Sequence, residues 1–340
     1  MAHNFDSVVN YKPYARRFRT PLQTARGLWT VRRGFIVRIE RNGRAGFGEV
    51  APLPESGTET MPEAEDCLRR LAEGSVSFDE PGLFKDRPCC AFGVSGAIRD
   101  LVEERRGKSR RYEVAALLPA GNDMLEAAAS KRRLGYRVFK WKIGVLPADN
   151  ELQLFRALQD MLSGGERLRL DANGGLSEKD LARWLELSEA ESDILEYIEQ
   201  PLPPGKEGRM SEMATASGVP IALDESLHGP DGWRWLKPGA WPGPLAIKPA
   251  LGGDWRKQLE RLTPVADLLV FSSAFETPVG LIDTLALADA LPLSSRAFGF
   301  DTLNACTDDF SEASAAPRLS SDMDGLLSSG QIWNQLHHST

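Results

Sequence analysis

Beyond Val114, short apolar segments alternate with longer stretches that have the spacing of amphipathic helices. Strand candidates lie at 138–144, 167–172, 195–200, 219–226, 243–250 and 267–273, and helix candidates accompany them near 123–134, 149–162, 178–188, 207–217, 254–262 and 279–290. Repeated βα units of this kind predict a parallel sheet. Six or more in series, without a Gly-rich phosphate-binding turn after the first, favour a barrel over a doubly wound sheet.

The first 110 residues or so have a different pattern, which indicates a mixed α+β unit. Residues 34–40 form a β-branched run, Asn42-Gly43 is a hairpin turn signal, and residues 45–50 return the strand. Residues 62–72 predict a surface helix with Cys67, Leu68 and Leu71 on its apolar side. Residues 89–107 predict a second helix, whose small residues permit close packing.

Composition excludes several classes of protein. The net charge of -7 gives no basic surface for nucleic acid, and hydrophobic residues make up 42% of the 340, which is enough for a large core. The four cysteines form no CxxC pair and histidines are scarce, so a zinc site is not expected. Because no signal peptide and no run of 18 apolar residues is visible, we expect a soluble cytoplasmic protein without membrane contact.

Charged residues stand at the ends of five successive strand candidates, separated each time by about one βα unit. In chain order they are Lys142 (with Lys140), Asp171, Glu199, Asp224 (with Glu225) and Lys248. The carboxyl ends of barrel strands converge on one mouth, where such enzymes hold their active sites. A single acid at a strand end usually caps the next helix or lies in a solvated loop, but five charges in register are hard to explain in that way.

The order of these charges, lysine, three acids, lysine, predicts a divalent-metal site with a nearby base. Carboxylates that are forced together repel unless a cation joins them, and oxygen ligands from separate strands suit Mg²⁺. The metal and the neighbouring lysine disfavour each ammonium, which lowers the lysine pKa and lets one lysine act as a base. Since strand side chains alternate, Lys140 and Lys142 point to one face, and Trp141 points to the helical layer.

Together these motifs resemble those of the enolase superfamily and, within it, the o-succinylbenzoate synthase family. The segments FKWKIG, LRLDANGG, EQPL, ALDES and AIKP stand in the family's order across residues 140–250. Residues 48–60 resemble its capping-domain segment, 271–281 its seventh-strand segment, and 21–29 the loop that covers substrate. Residues 296–306 match its eighth-strand segment only loosely, which leaves the pocket for the substrate tail less defined than the metal site.

The resemblance implies an α/β fold, namely a modified (β/α)₇β barrel at 111–310 with an α+β capping domain at 1–110. Residues 311–340 would form an irregular C-terminal segment, part of which could return to the capping domain. The implied enzyme is a metal-dependent lyase (a hydro-lyase) that removes water from 2-succinyl-6-hydroxy-2,4-cyclohexadiene-1-carboxylate in menaquinone biosynthesis. Its cofactor would be Mg²⁺, or alternatively Mn²⁺, and its partner a small-molecule carboxylate. By resemblance, the ligands are Asp171, Glu199 and Asp224, the base is Lys142, and Lys248 faces it across the substrate.

Further site residues are predicted with an ordinary structural role as the alternative in each case. Lys140 would support Lys142 and the substrate carboxylate, or only pair with an acid. Arg169 would pair with Glu199 or a substrate carboxylate, or form a core ion pair. The remaining predictions are Asn173 and Glu225 as groups that orient the metal ligands, Ser272 and Ser273 on the succinyl tail, and Gln23 and Arg26 in the covering loop.

The charged set alone leaves other functions open. A dipeptide epimerase, an N-acylamino acid racemase or a muconate cycloisomerase would share it, whereas the mandelate racemase branch would need a histidine base, and none lies on a strand candidate. His228 follows its strand in a Gly-Pro turn. Alternatives of another class are a non-catalytic binding protein on the same barrel and a structural barrel with ordinary ion pairs. The sequence does not indicate the oligomeric state.

Overall fold

The computed structural model describes residues 7–24, 27–103, 110–189, 193–229, 231–308, 310, 316–322 and 326–336. Of the predicted covering loop, Arg26 and the side chain of Gln23 lie outside the described residues. Within the described part, no helix is long and apolar enough to cross a membrane.

The chain begins with an antiparallel sheet of β1 (Val8–Thr24), β2 (Gly27–Arg41) and β3 (Arg44–Val50), in that order. Asn42 and Gly43 form the predicted turn between β2 and β3, with left-handed φ angles of 51° and 74°. Asparagine and glycine are the residues that adopt this conformation at least cost, so the turn fixes the register of the hairpin.

Two helices, α1 (Met61–Ala72) and α2 (Pro88–Val102), pack on this sheet. Helix α1 buries the predicted Cys67, Leu68 and Leu71. Helix α2 lies so close to β3 that a Cβ atom on Gly48 would stand 1.9 Å from the Gly93 carbonyl oxygen. The small residues of α2 therefore permit close packing, as predicted. The helix ends at Val102, where Glu103 turns to extended backbone, and its predicted end at Gly107 lies outside the described residues.

The predicted parallel sheet is present and closes into a barrel. The strands β5 (Ala116–Leu118), β6 (Val138–Lys142), β7 (Arg167–Asp171), β8 (Leu195–Glu199) and β9 (Ile221–Ala222) pair in order. A parallel bridge from Leu223 to Leu245 joins β9 to β10 (Leu245–Ile247), which pairs with β11 (Leu269–Phe271). Residues 298–299 form the eighth strand position, since Phe298 bridges to Val114 and Gly299 to Ser272.

Helices surround this barrel in the order that the sequence predicts. They are α3 (Met124–Arg133), α4 (Ala148–Met161), α5 (Glu178–Glu189), α6 (Glu207–Ser217), α7 (Trp255–Leu262) and α8 (Pro278–Ala290). After β9 the chain instead forms short 3-10 helices at Glu225–Leu227 and Gly232–Leu236. Trp141 is buried in the helical layer, edge-on to Trp184 of α5, as the alternation of strand side chains predicts. The α/β class and the modified barrel are thus confirmed.

The end of the chain returns to the first sheet. The short strand β12 (Arg318–Ser320) pairs with β4 (Arg111–Glu113), and α9 (Ser329–Gln335) follows. Lys12 donates hydrogen bonds from Nζ to the carbonyl oxygens of Trp333 (3.0 Å) and Leu336 (2.8 Å). The domain boundaries predicted above, at residues 110 and 310, stay predictions.

Buried polar contacts join the first sheet to the barrel. The carboxylate of Glu49 on β3 accepts hydrogen bonds from the Tyr14 hydroxyl, from the Thr277 amide and hydroxyl, and from the Gly280 amide (2.9 Å). It therefore caps α8 from the neighbouring unit. Arg99 of α2 pairs with Asp283 of α8 at 2.7 Å, so α8 is held at two points.

Candidate active site

The register of the barrel strands aligns Lys142, Asp171 and Glu199. Lys142 lies opposite Asp171 on the neighbouring strand, and Asp171 lies opposite Glu199 on the next. Asp224 follows β9 by two residues, and Lys248 directly follows β10. The five charged residues are therefore brought to the carboxyl ends of consecutive strands, at one mouth of the barrel.

Ion pairs connect these residues directly. Lys140 Nζ lies 2.9 Å from Asp171 Oδ2 and 2.7 Å from Glu199 Oε1. Lys248 Nζ pairs with Asp224 Oδ1. The Glu199 and Asp224 side chains are buried, with 1% and 3% exposure, so these contacts are shielded from water and stronger than surface pairs.

The three carboxylates are separated by ammonium groups in this arrangement. Within the described ranges, no three His, Cys, Asp or Glu side chains lie close enough to hold a metal ion as they stand. Burial, opposed in part by Lys140, raises the pKa of Glu199 to about 8. Buried carboxylates at adjacent strand ends need a positive counter-charge, and oxygen donors of this kind fit Mg²⁺. The donor set therefore suits the predicted cation, and its ligand roles stay a prediction.

The lysines differ in the direction of their pKa shifts. Burial, together with the charge of Lys140, lowers the pKa of Lys142. Burial also opposes the charge of Lys248, but Asp224 and Glu225 outweigh it and raise the pKa of that lysine. The two directions differ because Lys248 forms a direct ion pair with a carboxylate, and the lowering expected beside a bound cation stays a prediction for both lysines.

Asn173 and Glu225 contact each other and adjoin the carboxylates. Asn173 has a left-handed φ of 45°, its amide N–H donates to Asp171 Oδ1 (3.1 Å), and its Nδ2 donates to Glu225 Oε1 (3.1 Å). Burial and the neighbouring Asp224 raise the pKa of Glu225 to about 7. Both residues thus lie beside the predicted ligands, and their orienting role stays a prediction.

Arg169 has a different partner from the one predicted. Its guanidinium pairs with Glu196 rather than Glu199, with Nε 2.8 Å from Oε2. It also donates to the Ala297 carbonyl oxygen at 2.8 Å across the barrel and stacks over the Tyr197 ring. A bulge in β8 next to Leu168 and Arg169 shifts the register and makes Glu196 available. These contacts are those of the alternative reading, a core ion pair.

Ser272 and Ser273 lie at the end of β11, and both are buried at 8% exposure. The Ser273 hydroxyl donates to Glu276 Oε2 (2.7 Å) and accepts from the Phe275 amide (2.8 Å). The Ser272 amide donates to the Ile247 carbonyl oxygen on β10 (2.8 Å). Ser273 therefore shapes the turn before α8, and contact of either serine with a substrate tail stays a prediction.

Two residues around Asp224 were not predicted. The 3-10 turn at Glu225–Leu227 brings His228 back, so that its Nε2 lies 3.3 Å from Asp224 Oδ1. The side-chain oxygen of Gln200 accepts hydrogen bonds from the Asp224 and Ser226 amides. Gln200 directly follows Glu199 in the motif EQPL, whereas His228 gave no signal beyond its spacing from Asp224.

A cavity of about 1070 Å³ is lined by residues of both the first unit and the barrel. Its wall includes Lys248 and His228, and across from them Phe84, Ala91 and Val94 on and before α2. Lys142, Asp171, Glu199 and Asp224 do not line it, so this cavity meets the charged set at Lys248 alone.

Comparisons with known proteins identify chains that this one is similar to. Residues 20–101 match the family described as MenC, N-terminal domain, and residues 123–240 match Enolase C-terminal domain-like. The chain is 33% identical to the o-succinylbenzoate synthase of Thermosynechococcus vestitus over 303 residues, which is 86% of this chain and 92% of that protein. It is 33% identical to the synthase of Pectobacterium atrosepticum over 288 residues, 80% of this chain and 83% of that protein.

Solved structures give the same result for the fold. The crystal structure of the Thermosynechococcus elongatus o-succinylbenzoate synthase, complexed with Mg in the active site, has a TM-score of 0.78 and 29% identity, covering 97% of this chain and 100% of that one. The Methylococcus capsulatus dipeptide epimerase, complexed with Mg and a dipeptide, has a TM-score of 0.76 at 22% identity, covering 91% and 95%. The chain belongs to the o-succinylbenzoate synthase family of the enolase superfamily.

Proposed function

We propose that this chain is a Mg²⁺-dependent hydro-lyase that converts 2-succinyl-6-hydroxy-2,4-cyclohexadiene-1-carboxylate into 2-succinylbenzoate, a step of menaquinone biosynthesis. Its family membership supports the reaction, and the magnesium in the Thermosynechococcus relative supports the cofactor. The small-molecule substrate follows from the same family. The observation that carries the proposal for the residues is the alignment of Lys142, Asp171 and Glu199 on adjacent strands.

Asp171, Glu199 and Asp224 would hold the cation. When bound, it supplies electrostatic stabilisation for the charge that develops on the substrate carboxylate as the adjacent carbon loses its proton. All three side chains are buried. Asp171 and Glu199 end their strands, and Asp224 follows β9 in the adjoining turn.

Lys142 would act as the base in the first half of the reaction and as the acid in the second. In its neutral form it takes the proton from the ring carbon that bears the carboxylate, and the C–H electron pair is delocalised over the carboxylate and the conjugated ring. The resulting ammonium gives that proton to the hydroxyl on the neighbouring carbon, the C–O bond breaks, and water leaves as the ring becomes aromatic. Because one group serves both steps, proton and hydroxyl leave from the same ring face, which is a syn elimination.

Lys248 would keep its charge throughout. Its ammonium, paired with Asp224, stabilises the anionic ring by electrostatic and cation–π attraction without exchanging a proton. Lys140, which bridges Asp171 and Glu199, would support the ligands and the substrate carboxylate.

The direct test mixes the purified protein with Mg²⁺ and the cyclohexadiene substrate and follows the ultraviolet absorbance lost on aromatisation. We expect rapid loss with Mg²⁺ and none with EDTA. Glu199→Gln should abolish the loss, whereas Glu113→Gln, at a half-exposed carboxylate on β4 that pairs with Arg318, serves as the control and should retain it. Folded protein that leaves the absorbance unchanged would contradict the proposal and favour an epimerase or racemase.

The remaining parts of the proposal concern the chain as a whole. We propose the capping unit at 1–110 and the barrel at 111–310, with α9 packed on the first sheet. We also propose a cytoplasmic location, which fits an enzyme whose substrate is a small-molecule carboxylate.

A further inference from the structure

The backbone at the third carboxylate, Asp224, has less support from strand pairing than the backbone at Asp171 and Glu199. Asp171 and Glu199 end five-residue strands that pair on both sides, whereas β9 has only two residues, Ile221 and Ala222. After β9 the backbone leaves the sheet at Asp224 and enters a 3-10 turn. Strand pairing alone therefore does not fix the position of the Asp224 backbone.

The side chain of Gln200 supplies the missing contacts. Its Oε1 accepts hydrogen bonds from the amides of Asp224 (3.0 Å) and Ser226 (3.1 Å). Its Nε2 donates to the Ser226 hydroxyl (2.8 Å) and to the Leu202 carbonyl oxygen (3.0 Å). Both N–H groups and both acceptor positions of the side-chain amide are thus in use. These hydrogen bonds fix the orientation of the amide, with its oxygen toward the Asp224 and Ser226 amides.

Gln200 is itself held rigidly. It is 0% exposed and has a left-handed φ of 36°, which is rare for a residue with a side chain. Its own amide donates to the Ala222 carbonyl oxygen (2.8 Å), and its carbonyl accepts from the Gly174 amide (2.6 Å). Gln200 is therefore tied to the loops after β7, β8 and β9, which carry the three acids.

We propose that Gln200 is a positioning residue that fixes Asp224 for cation binding. A neutral amide suits this task because it satisfies two backbone N–H groups without adding a negative charge to a site that already holds the three predicted ligands and Glu225. The inference rests on the proposed function, since it concerns the same cation. Its effect is expected in metal affinity, because partners that orient metal ligands tune that affinity.

The experiment measures Mn²⁺ affinity by calorimetry without substrate, in the wild-type chain, in Gln200→Met and in a matched control, Gln258→Met. Gln258 is also a buried glutamine. Its Nε2 donates to the carbonyl oxygens of Pro249 (3.0 Å) and Gly253 (2.8 Å), and neither residue belongs to a turn that carries one of the three acids. We expect Gln200→Met to weaken Mn²⁺ binding by about 10- to 100-fold. Gln258→Met should lower the metal-free melting temperature and keep the wild-type affinity.

The outcomes separate the possible failures. If both variants lose melting temperature and both keep wild-type Mn²⁺ affinity, Gln200 has only a structural role and the inference is overturned. If the wild-type chain binds no Mn²⁺, the proposed function fails first. Should Gln200→Met not fold, Ser226→Ala removes one acceptor of the Gln200 amide, and a smaller loss of affinity is expected. Unchanged affinity in that variant would overturn the inference.

Discussion

Removal of the Glu49 carboxylate should destabilise the contact between the first sheet and the barrel. Glu49 is 2% exposed and accepts hydrogen bonds from Tyr14, Thr277 and Gly280, so Glu49→Ala leaves several buried donors without an acceptor. Each such donor costs about 1–3 kcal/mol. With partial relaxation, we expect a loss of about 4 kcal/mol in the free energy of unfolding, near the upper end of single substitutions.

The chemistry of the replacement gives a graded series. Glu49→Gln keeps one side-chain oxygen as an acceptor but turns an NH₂ group toward the remaining donors, so we expect about half the loss, roughly 2 kcal/mol. For a chain of this length, the alanine variant should melt about 5 °C below the wild type. Glu40→Ala on the neighbouring strand removes a half-exposed carboxylate paired only at the surface, and should change stability by less than about 0.5 kcal/mol.

Denaturation followed by tryptophan fluorescence measures these differences, because several tryptophans lie in the core. A Glu49→Ala variant as stable as Glu40→Ala would refute the reasoning that this carboxylate caps α8. Equal losses in the alanine and glutamine variants would show that hydrogen-bond acceptance is not the cause.

Two further predictions follow from buried contacts. Gly48→Ala puts a Cβ atom 1.9 Å from the Gly93 carbonyl oxygen, and the backbone there cannot move at low cost. We therefore expect the free energy of unfolding to fall by about 3 kcal/mol, measured by melting or denaturation. Gly43→Ala, at an open turn, is the control and should act only through its positive φ. Burial raises the pKa of Glu276, so this carboxyl keeps its proton to higher pH in the folded chain than in the unfolded one, and its contribution to stability should fall as pH rises above about 4.3. Denaturation across pH should show a smaller fall in Glu276→Gln; equal slopes in the two proteins would contradict the assignment.

The periodic parts of the fold could be predicted because their signals are local. The strand candidates at 138–144, 167–172 and 195–200 match β6, β7 and β8 within two residues. The candidate at 219–226 was too long, because the sheet contact ends at Leu223 and the backbone then turns at Asp224. Helix α9 was missed, although Ser328 and Gln331 form a capping box that marks its start.

The site could be predicted only as far as strand spacing determines it. Spacing placed Lys142, Asp171 and Glu199 at one mouth because parallel strands share their direction. The partner of Arg169 depends on a bulge in β8, and the approach of His228 depends on a 3-10 turn. Both are set by contacts between distant segments, which periodicity does not encode.

The lysine pair tests the central claim, that Lys142 alone exchanges the proton. The measurement compares the rate of Mg²⁺-dependent ultraviolet loss in Lys142→Arg and Lys248→Arg with that of the wild type. Since a positioned base contributes about 10²- to 10⁴-fold, we predict a loss of that size in Lys142→Arg. Lys248→Arg keeps a positive charge and should retain clearly more activity. Comparable losses in the two variants would contradict the account and indicate an enzyme with two bases.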